Sequence, residues 1–237
     1  MGGAKPPWVV LDAMGVIYEH GDDVRDLLIP YLRAHACPLD DDQIRALYVE
    51  CSLGKLSSTE LWRRAGVEGA CLDEDYCRSH RLNERIVNLA REMAAQGVGI
   101  ACLSNDVSEW SRILRRRFGL DEVVSVWVIS GDEGVRKPAR EIYRVLLGRI
   151  GCAADGVVFV DDSEANLDAA AVEGMRTVLF AEPGHRSTLR LRQWPISARS
   201  CRWGEGRGAC IDRPANQAAD HVPNPRWFAN VTRYRDL

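Results

Sequence analysis

Six polar side chains stand directly after apolar runs of the chain or in a loop before a helix: Asp12, Ser104, Asn105, Lys137, Asp161 and Asp162. Carboxylates serve as nucleophiles and as ligands of hard cations, a hydroxyl donates to a phosphoryl oxygen, and an ammonium neutralises phosphoryl charge. If the fold brings these groups together, the sequence predicts a site for a divalent cation and a phosphate.

Asp12 is the candidate nucleophile of this site. Its negative charge repels a phosphoryl group, so a cation such as Mg²⁺ and the ammonium of Lys137 are needed to offset that repulsion. Mg²⁺ prefers octahedral oxygen ligands, which Asp12, a carboxylate of the Asp161–Asp162 pair, a backbone carbonyl and waters provide. In-line attack on phosphorus would give an aspartyl-phosphate, which water then hydrolyses.

The elements that must position these groups are strands of a parallel sheet. Short valine-rich runs, typical of strands buried on both faces, are expected at 8–11, 98–103, 123–129, 157–160 and 177–180. Helical patterns separate the last four runs, with Ser108 as the expected cap of one helix and 130–138 as a loop. This alternation predicts an α/β fold with a Rossmann-like, doubly wound parallel sheet, in which the strand ends share one ligand-binding edge.

A helical pattern of about seventy residues follows the first strand. Its helices are expected to start near Asp22, at Asp40, at Ser57 or Ser58 and at Asp73, with a kink at Pro30. We therefore predict a helical cap over residues 18–84, inserted into a core of residues 1–17 and 85–185. Cap side chains should set substrate choice, and Lys55 is the first candidate, although an exposed helix-end lysine is the commoner role.

The C-terminal segment, residues 186–237, has a different composition. It holds ten arginines, no lysine and four acidic residues, and its three tryptophans follow neither a helical nor a strand period. This composition predicts an irregular extension. Packing of the tryptophans across the core is favoured over nucleic-acid binding.

The whole chain has the composition of a soluble globular protein. Its 237 residues, 46% hydrophobic, suffice for one sizeable core with a small insert, and the net charge of -3 gives no global drive toward nucleic acid or an anionic membrane. Eight scattered cysteines without a Cys-x-x-Cys pair indicate reduced thiols rather than a zinc site. No apolar run has the length of a signal peptide or membrane span, so we expect a cytoplasmic protein. We expect it to act on a small molecule as a monomer or homodimer.

Four motifs carry a resemblance to a known family: Val-Val-Leu-Asp12-x-x-Gly15-Val16, Cys102-Leu103-Ser104-Asn105, Gly134-Val135-Arg136-Lys137-Pro138 and Phe159-Val160-Asp161-Asp162-Ser163-x-x-Asn166. In this order the chain, over residues 8–183, resembles the haloacid dehalogenase (HAD) superfamily, and more narrowly its capped subfamily I. The resemblance implies a nucleophilic Asp12, a charge-stabilising Lys137, and phosphate or substrate binding by Ser104 and Asn105. It implies that Mg²⁺ is held by Asp12, the backbone carbonyl of Met14, Asp162 and Asp161, whereas Asn166 is expected to be structural.

Met14 departs from the pattern of most phosphatases of that superfamily, which carry a general-acid Asp at this position. A thioether transfers no proton, so three hypotheses stay open. The first is a phosphohydrolase whose substrate has a weakly basic leaving group or supplies its own proton. The second is a metal-independent 2-haloacid dehalogenase, which the adjacent Asp161 and Asp162 disfavour because their charges call for a cation. The third is a non-catalytic binding or regulatory protein, against which the joint presence of Asp12, Lys137 and Asp162 argues.

Overall fold

The computed structural model describes residues 7–180 and the strand at residues 190–191, which together contain a six-stranded sheet. The strands lie in the order β3-β2-β1-β4-β5-β6. They are β1 (Trp8–Leu11), β2 (Gly99–Ser104), β3 (Val126–Ile129), β4 (Val157–Asp161), β5 (Arg176–Leu179) and β6 (Arg190–Leu191). The first five are parallel and β6 is antiparallel to β5, so the predicted Rossmann-like parallel α/β sheet is confirmed.

Strand β1 lies at the centre of this sheet, between β2 and β4. Its last residue, Leu11, is in register with Cys102 of β2 and Val160 of β4. The backbone N–H of Asp12 then donates to the carbonyl of Val160 at 2.9 Å. The ends of three neighbouring strands are thereby aligned, which places their following residues at one edge of the sheet.

Five α-helices lie within residues 84–180: α5 (Glu84–Ala95), α6 (Ser108–Phe118), α7 (Ser130–Glu133), α8 (Arg140–Ile150) and α9 (Glu164–Val172). Buried side chains of α8 and α9, among them Tyr143 and Leu167, pack with Val10 and Phe159 of the sheet in one core cluster. Two local predictions were wrong. Val107 rather than Ser108 is the N-cap residue of α6, and the expected loop at 130–138 begins with the single-turn helix α7.

Four helical segments lie between β1 and α5, where the cap was predicted. A π-helical turn, Val24–Leu28, continues directly as α1 (Ile29–Ala34), and α2 (Asp41–Ser52), α3 (Ser58–Arg64) and α4 (Leu72–Cys77) follow. Pro30 lies just after this π-helical turn, so the helix departs from α geometry next to the residue that has no backbone N–H to donate. Asp40 and Gln43 form a reciprocal capping box at the start of α2. The cap boundaries 18–84 stay a prediction.

The segment predicted to be irregular, residues 186–237, contributes β6 to the sheet. Its other residues, including the three tryptophans, lie outside the described part of the chain. Within that described part, no helix has the length and apolar character needed to cross a bilayer.

Candidate active site

The ammonium of Lys137 lies between two carboxylates at the centre of the site. Its Nζ is 2.7 Å from Asp12 Oδ1 and 2.7 Å from Asp161 Oδ2. Lys137 is 4% exposed and Asp161 is fully buried. Burial disfavours the charge on Lys137, but the two carboxylates outweigh burial and raise the pKa of Lys137 above its ordinary value. The lysine is therefore a fixed cation next to the candidate nucleophile.

Negative charge exceeds positive charge around Asp12. Burial raises the pKa of Asp12 well above its usual value; Lys137 opposes this shift, whereas Asp161 and Asp162 reinforce it. Carboxylate oxygens of Asp12, Asp161 and Asp162 all lie within 4.8 Å of one another. Three converging carboxylates with one neutralising lysine fit a divalent cation, because such an ion prefers oxygen ligands and offsets their repulsion.

Asp162 is the exposed member of this carboxylate cluster, and two glycines lie against it. A Cβ atom added to Gly15 or Gly21 would overlap with Oδ2 of Asp162. Gly15 also has a φ of 74°, in the left-handed region that favours glycine. The two glycines thus leave room for the Asp162 carboxylate beside Asp12.

Asp161 is held from three sides. Besides the ammonium of Lys137, its oxygens accept from the backbone N–H of Ser163 at 2.8 Å and from the side-chain amide of Asn166 at 3.1 Å. Asn166 itself is buried in α9 and also lines the cavity, and its structural role stays a prediction that these hydrogen bonds support. This network fixes Asp161, which in turn fixes the position of Lys137.

Ser104 and Asn105 lie at the end of β2 and contribute in different ways. The Asn105 side chain accepts from the backbone N–H of Lys137 at 2.7 Å and donates to the carbonyl of Lys137 at 3.0 Å. It therefore holds the Lys137 loop against the strand. The buried hydroxyl of Ser104 has no hydrogen-bond partner among the described residues, and Ser104 lines the same cavity as Asp12 and Lys137. A buried, unpaired hydroxyl is costly unless something else bonds to it.

The loop after β1 folds back toward Asp12, the candidate nucleophile. The N–H of Gly15 donates to the carbonyl of His20 at 3.0 Å, which brings Gly21 next to Gly15 and Asp162. Asp22 and Asp23 follow at once, so two further carboxyl groups reach the cavity. Sequence reasoning treated this acidic pair as a helix start and missed its place in the site.

These elements enclose a cavity of about 350 Å³. Its lining includes all the predicted site residues except the fully buried Asp161. Helix α2 closes it with Arg45, Tyr48 and Val49, while Lys55 is exposed and lies outside the lining. The spacing of Arg45, Tyr48 and Val49, at i, i+3 and i+4 on one helix face, was the available signal for this wall.

Tyr48 and Arg136 connect helix α2 to the loops that carry Asn105 and Lys137. The Tyr48 hydroxyl donates to the carbonyl of Asn105 at 3.0 Å, and the guanidinium of Arg136 lies 5.4 Å from the centre of the Tyr48 ring. Arg136 also bonds to Ser52 at the end of α2. Arg136, the residue before Lys137, was missed by sequence reasoning as a residue of the cavity lining.

Comparison with known proteins finds phosphatases among the relatives. A ribulose-1,5-bisphosphate 5-phosphatase of Halopiger xanaduensis is 34% identical over 97 residues, which are 40% of this chain and 40% of that protein. A phosphoglycolate phosphatase of Pectobacterium atrosepticum is 30% identical over 87 residues, 37% of each chain. The chain thus covers about two fifths of the length of these relatives.

Solved structures share the fold. A HAD family enzyme from Bacteroides thetaiotaomicron has a TM-score of 0.66 at 15% identity, over 77% of this chain and 97% of that one. The same enzyme has also been solved as a complex with magnesium and inorganic phosphate. The sequence model of the haloacid dehalogenase-like hydrolases matches residues 8–174, more than half of the chain. Sequence and fold agree, and the chain belongs to the haloacid dehalogenase-like hydrolases.

Proposed function

We propose that this protein is a Mg²⁺-dependent phosphohydrolase that acts on a small phosphorylated metabolite through an aspartyl-phosphate on Asp12. The observation that carries the proposal is the unpaired, buried hydroxyl of Ser104 in the cavity that also holds the Lys137–Asp12 ion pair. A hydroxyl donor and an ammonium beside a carboxylate nucleophile suit a phosphoryl group, whose oxygens accept hydrogen bonds and carry negative charge. The phosphatase relatives support this proposal.

The carboxylate cluster fits a magnesium ion. Asp12 and Asp162, with Asp161 and the backbone carbonyl of Met14, would hold the ion. When bound, it would supply charge neutralisation for the phosphoryl group and for the surrounding carboxylates. The two glycines against Asp162 support this assignment, since they keep its carboxylate close to Asp12.

Each residue of the site has a separate role in the proposed reaction. A carboxylate oxygen of Asp12 attacks phosphorus as the bond to the leaving oxygen breaks, and water later releases inorganic phosphate from Asp12. Lys137 and Ser104 hold the phosphoryl oxygens in both steps. Asn105 and Asp161 do not touch the substrate in this scheme but fix the backbone and the ammonium of Lys137.

The experiment measures phosphate release from p-nitrophenyl phosphate, acetyl phosphate and sugar phosphates, with Mg²⁺ and with EDTA. Asp12→Asn keeps the side-chain shape but removes the nucleophilic carboxylate. We expect release to require Mg²⁺ and to fall by at least about 10³-fold in Asp12→Asn, because the covalent route is lost.

A parallel assay under the same conditions measures the halide that is released from 2-chloropropionate. Halide release that persists in EDTA would contradict the proposal and indicate a dehalogenase. Absence of both products, from protein shown by circular dichroism to be folded, would instead favour a non-catalytic role.

A further inference from the structure

The proposed phosphohydrolase lacks a proton donor at position 14. Met14 lines the cavity beside Asp12, but its thioether has no transferable proton. A basic leaving group, such as an alkoxide, needs a proton as its bond to phosphorus breaks. Two carboxyl groups line the cavity and have no part in the scheme above, namely those of Asp22 and Asp23.

Asp22 and Asp23 are neighbours with different surroundings. Both carboxylate oxygens of Asp22 accept from the guanidinium of Arg45, each at 3.3 Å, and one also accepts from the backbone N–H of Arg25 at 3.0 Å. Asp22 therefore forms an ion pair with Arg45. Asp23 is 4% exposed, and within residues 7–180 no lysine or arginine lies within ion-pair distance of it. Its side-chain contact is the Tyr76 hydroxyl at 3.5 Å.

We propose that Asp23 is the general acid that protonates the leaving group, in place of the missing carboxyl at position 14. As the Asp12 oxygen bonds to phosphorus and the P–O bond breaks, the carboxyl proton of Asp23 moves to the departing oxygen and leaves a carboxylate. That carboxylate then accepts a proton from the water that attacks the aspartyl-phosphate, which restores the acid. This inference rests on the proposed function.

The charged and titratable groups that face Asp23 favour its neutral form. Burial is the largest influence and, with the negative charge of Asp22, raises the pKa of Asp23 to about 7. The Val24 N–H, the Tyr76 hydroxyl and the Arg136 guanidinium lower that pKa by smaller amounts. Two buried groups, Tyr48 and Asp106, also lie close enough to interact with its charge. A carboxyl group with a pKa near the working pH is partly protonated at neutral pH and can both release and regain its proton.

The fold places Asp23 where this role requires it. The residue sits between the returning loop, whose Gly21 touches Gly15, and the π-helical turn at Val24–Leu28. It thus enters the cavity from the junction of the loop with the helices inserted after β1, whereas Asp161 reaches the site from the end of β4 and Lys137 from the loop before α8. A leaving group that points toward the helical wall would meet Asp23.

The test compares leaving groups rather than total activity. In Asp23→Asn, kcat/KM for an alkyl phosphate such as glycerol phosphate should fall about 100-fold or more, because alkoxide release needs a proton. For p-nitrophenyl phosphate, whose leaving group needs little protonation, kcat/KM should change less than about threefold. Asp26→Asn is the matched control, because Asp26 lies in the same helical turn, pairs with Arg25 and is outside the cavity lining, and it should leave kcat/KM for both substrates unchanged.

The wild-type enzyme gives a second readout that needs no variant. As pH rises above about 7, the ratio of alkyl to aryl phosphate hydrolysis should fall, and this fall should be absent in Asp23→Asn. An equal loss for both substrates in Asp23→Asn, or an alkyl-to-aryl ratio unchanged by the variant, would overturn the role of Asp23. Failure of the proposed function itself is distinct, since wild-type p-nitrophenyl phosphate hydrolysis would then be absent or insensitive to Asp12→Asn.

Discussion

At the residue scale, Gly21 offers a clean test of the cation site. A Cβ at this position would overlap with Oδ2 of Asp162, and the backbone of Gly21 is not in the left-handed region, so the effect of Gly21→Ala is steric. The displaced carboxylate should bind Mg²⁺ less well. We expect the Mg²⁺ concentration for half-maximal phosphatase activity to rise at least about tenfold, in line with losses seen when metal-site geometry is disturbed.

Gly148→Ala is the matched control for this substitution. Gly148 lies in helix α8, and a Cβ there meets no atom within 4 Å. Alanine should leave the Mg²⁺ requirement unchanged and stabilise the helix by about 0.5–1 kcal/mol. An unchanged Mg²⁺ requirement in Gly21→Ala would show that Asp162 does not hold the ion.

The residue types at strand ends were enough to predict the centre of the site. Asp12 and Asp161 converge as the parallel-sheet argument requires, because they stand at the aligned ends of neighbouring strands, and Lys137 joins them from the loop before α8. The hydrogen-bond partner of the Asn105 side chain, the backbone of Lys137, could not be predicted. Whether an amide bonds a substrate or a neighbouring loop depends on the path of that loop, which no local pattern fixes.

At the scale of elements, the inserted helices are joined to the sheet domain through Asp73 of α4. Its Oδ1 accepts from the indole N–H of Trp62 in α3 at 2.7 Å and of Trp110 in α6 at 2.6 Å, and Oδ2 accepts from the Ser58 hydroxyl at 2.7 Å. Asp73→Ala leaves these buried donors unpaired. We expect the free energy of unfolding to fall by about 2–3 kcal/mol, measured by urea denaturation.

Asp75→Asn in the same helix is the control. Asp75 is partly exposed and pairs with Arg78 one turn along α4, so its loss should change stability by no more than about 0.5 kcal/mol. Similar stabilities for Asp73→Ala and the wild type would contradict the structural role of Asp73.

The sequence pattern predicts the positions of the strands, but it does not predict which face of each inserted helix meets the site. Buried valine-rich runs identify β1 and β4 by composition, whereas the face that α2 turns to the site depends on how it docks. That docking brings Arg45 into the lining and leaves Lys55 outside. Helix α7 was also missed, because its single turn depends on contacts far away in sequence, such as the Ser130 hydroxyl with the Ser52 carbonyl.

At the scale of the whole molecule, two buried groups give opposite dependences of stability on pH. Burial lowers the pKa of His80 to about 4, so its contribution is complete above about 6.5 and is lost as pH falls toward 4. Burial raises the pKa of Asp23 to about 7, so its contribution is complete below about 4 and is lost as pH rises through 7. Between pH 4 and 6.5 the two slopes oppose each other.

Asp23→Asn separates these two slopes, because asparagine has no proton to lose. The buried carboxylate that costs the wild type stability at higher pH is then absent, while His80 is unchanged. The difference in unfolding free energy between variant and wild type should therefore move in favour of the variant by about 2–3 kcal/mol from pH 5 to pH 7. Urea denaturation at pH 5, 6 and 7 without Mg²⁺ measures this difference. If the unfolding free energies of variant and wild type changed with pH in parallel, Asp23 would already be ionised at pH 5. A carboxylate that has lost its proton at pH 5 could not act as the acid at neutral pH.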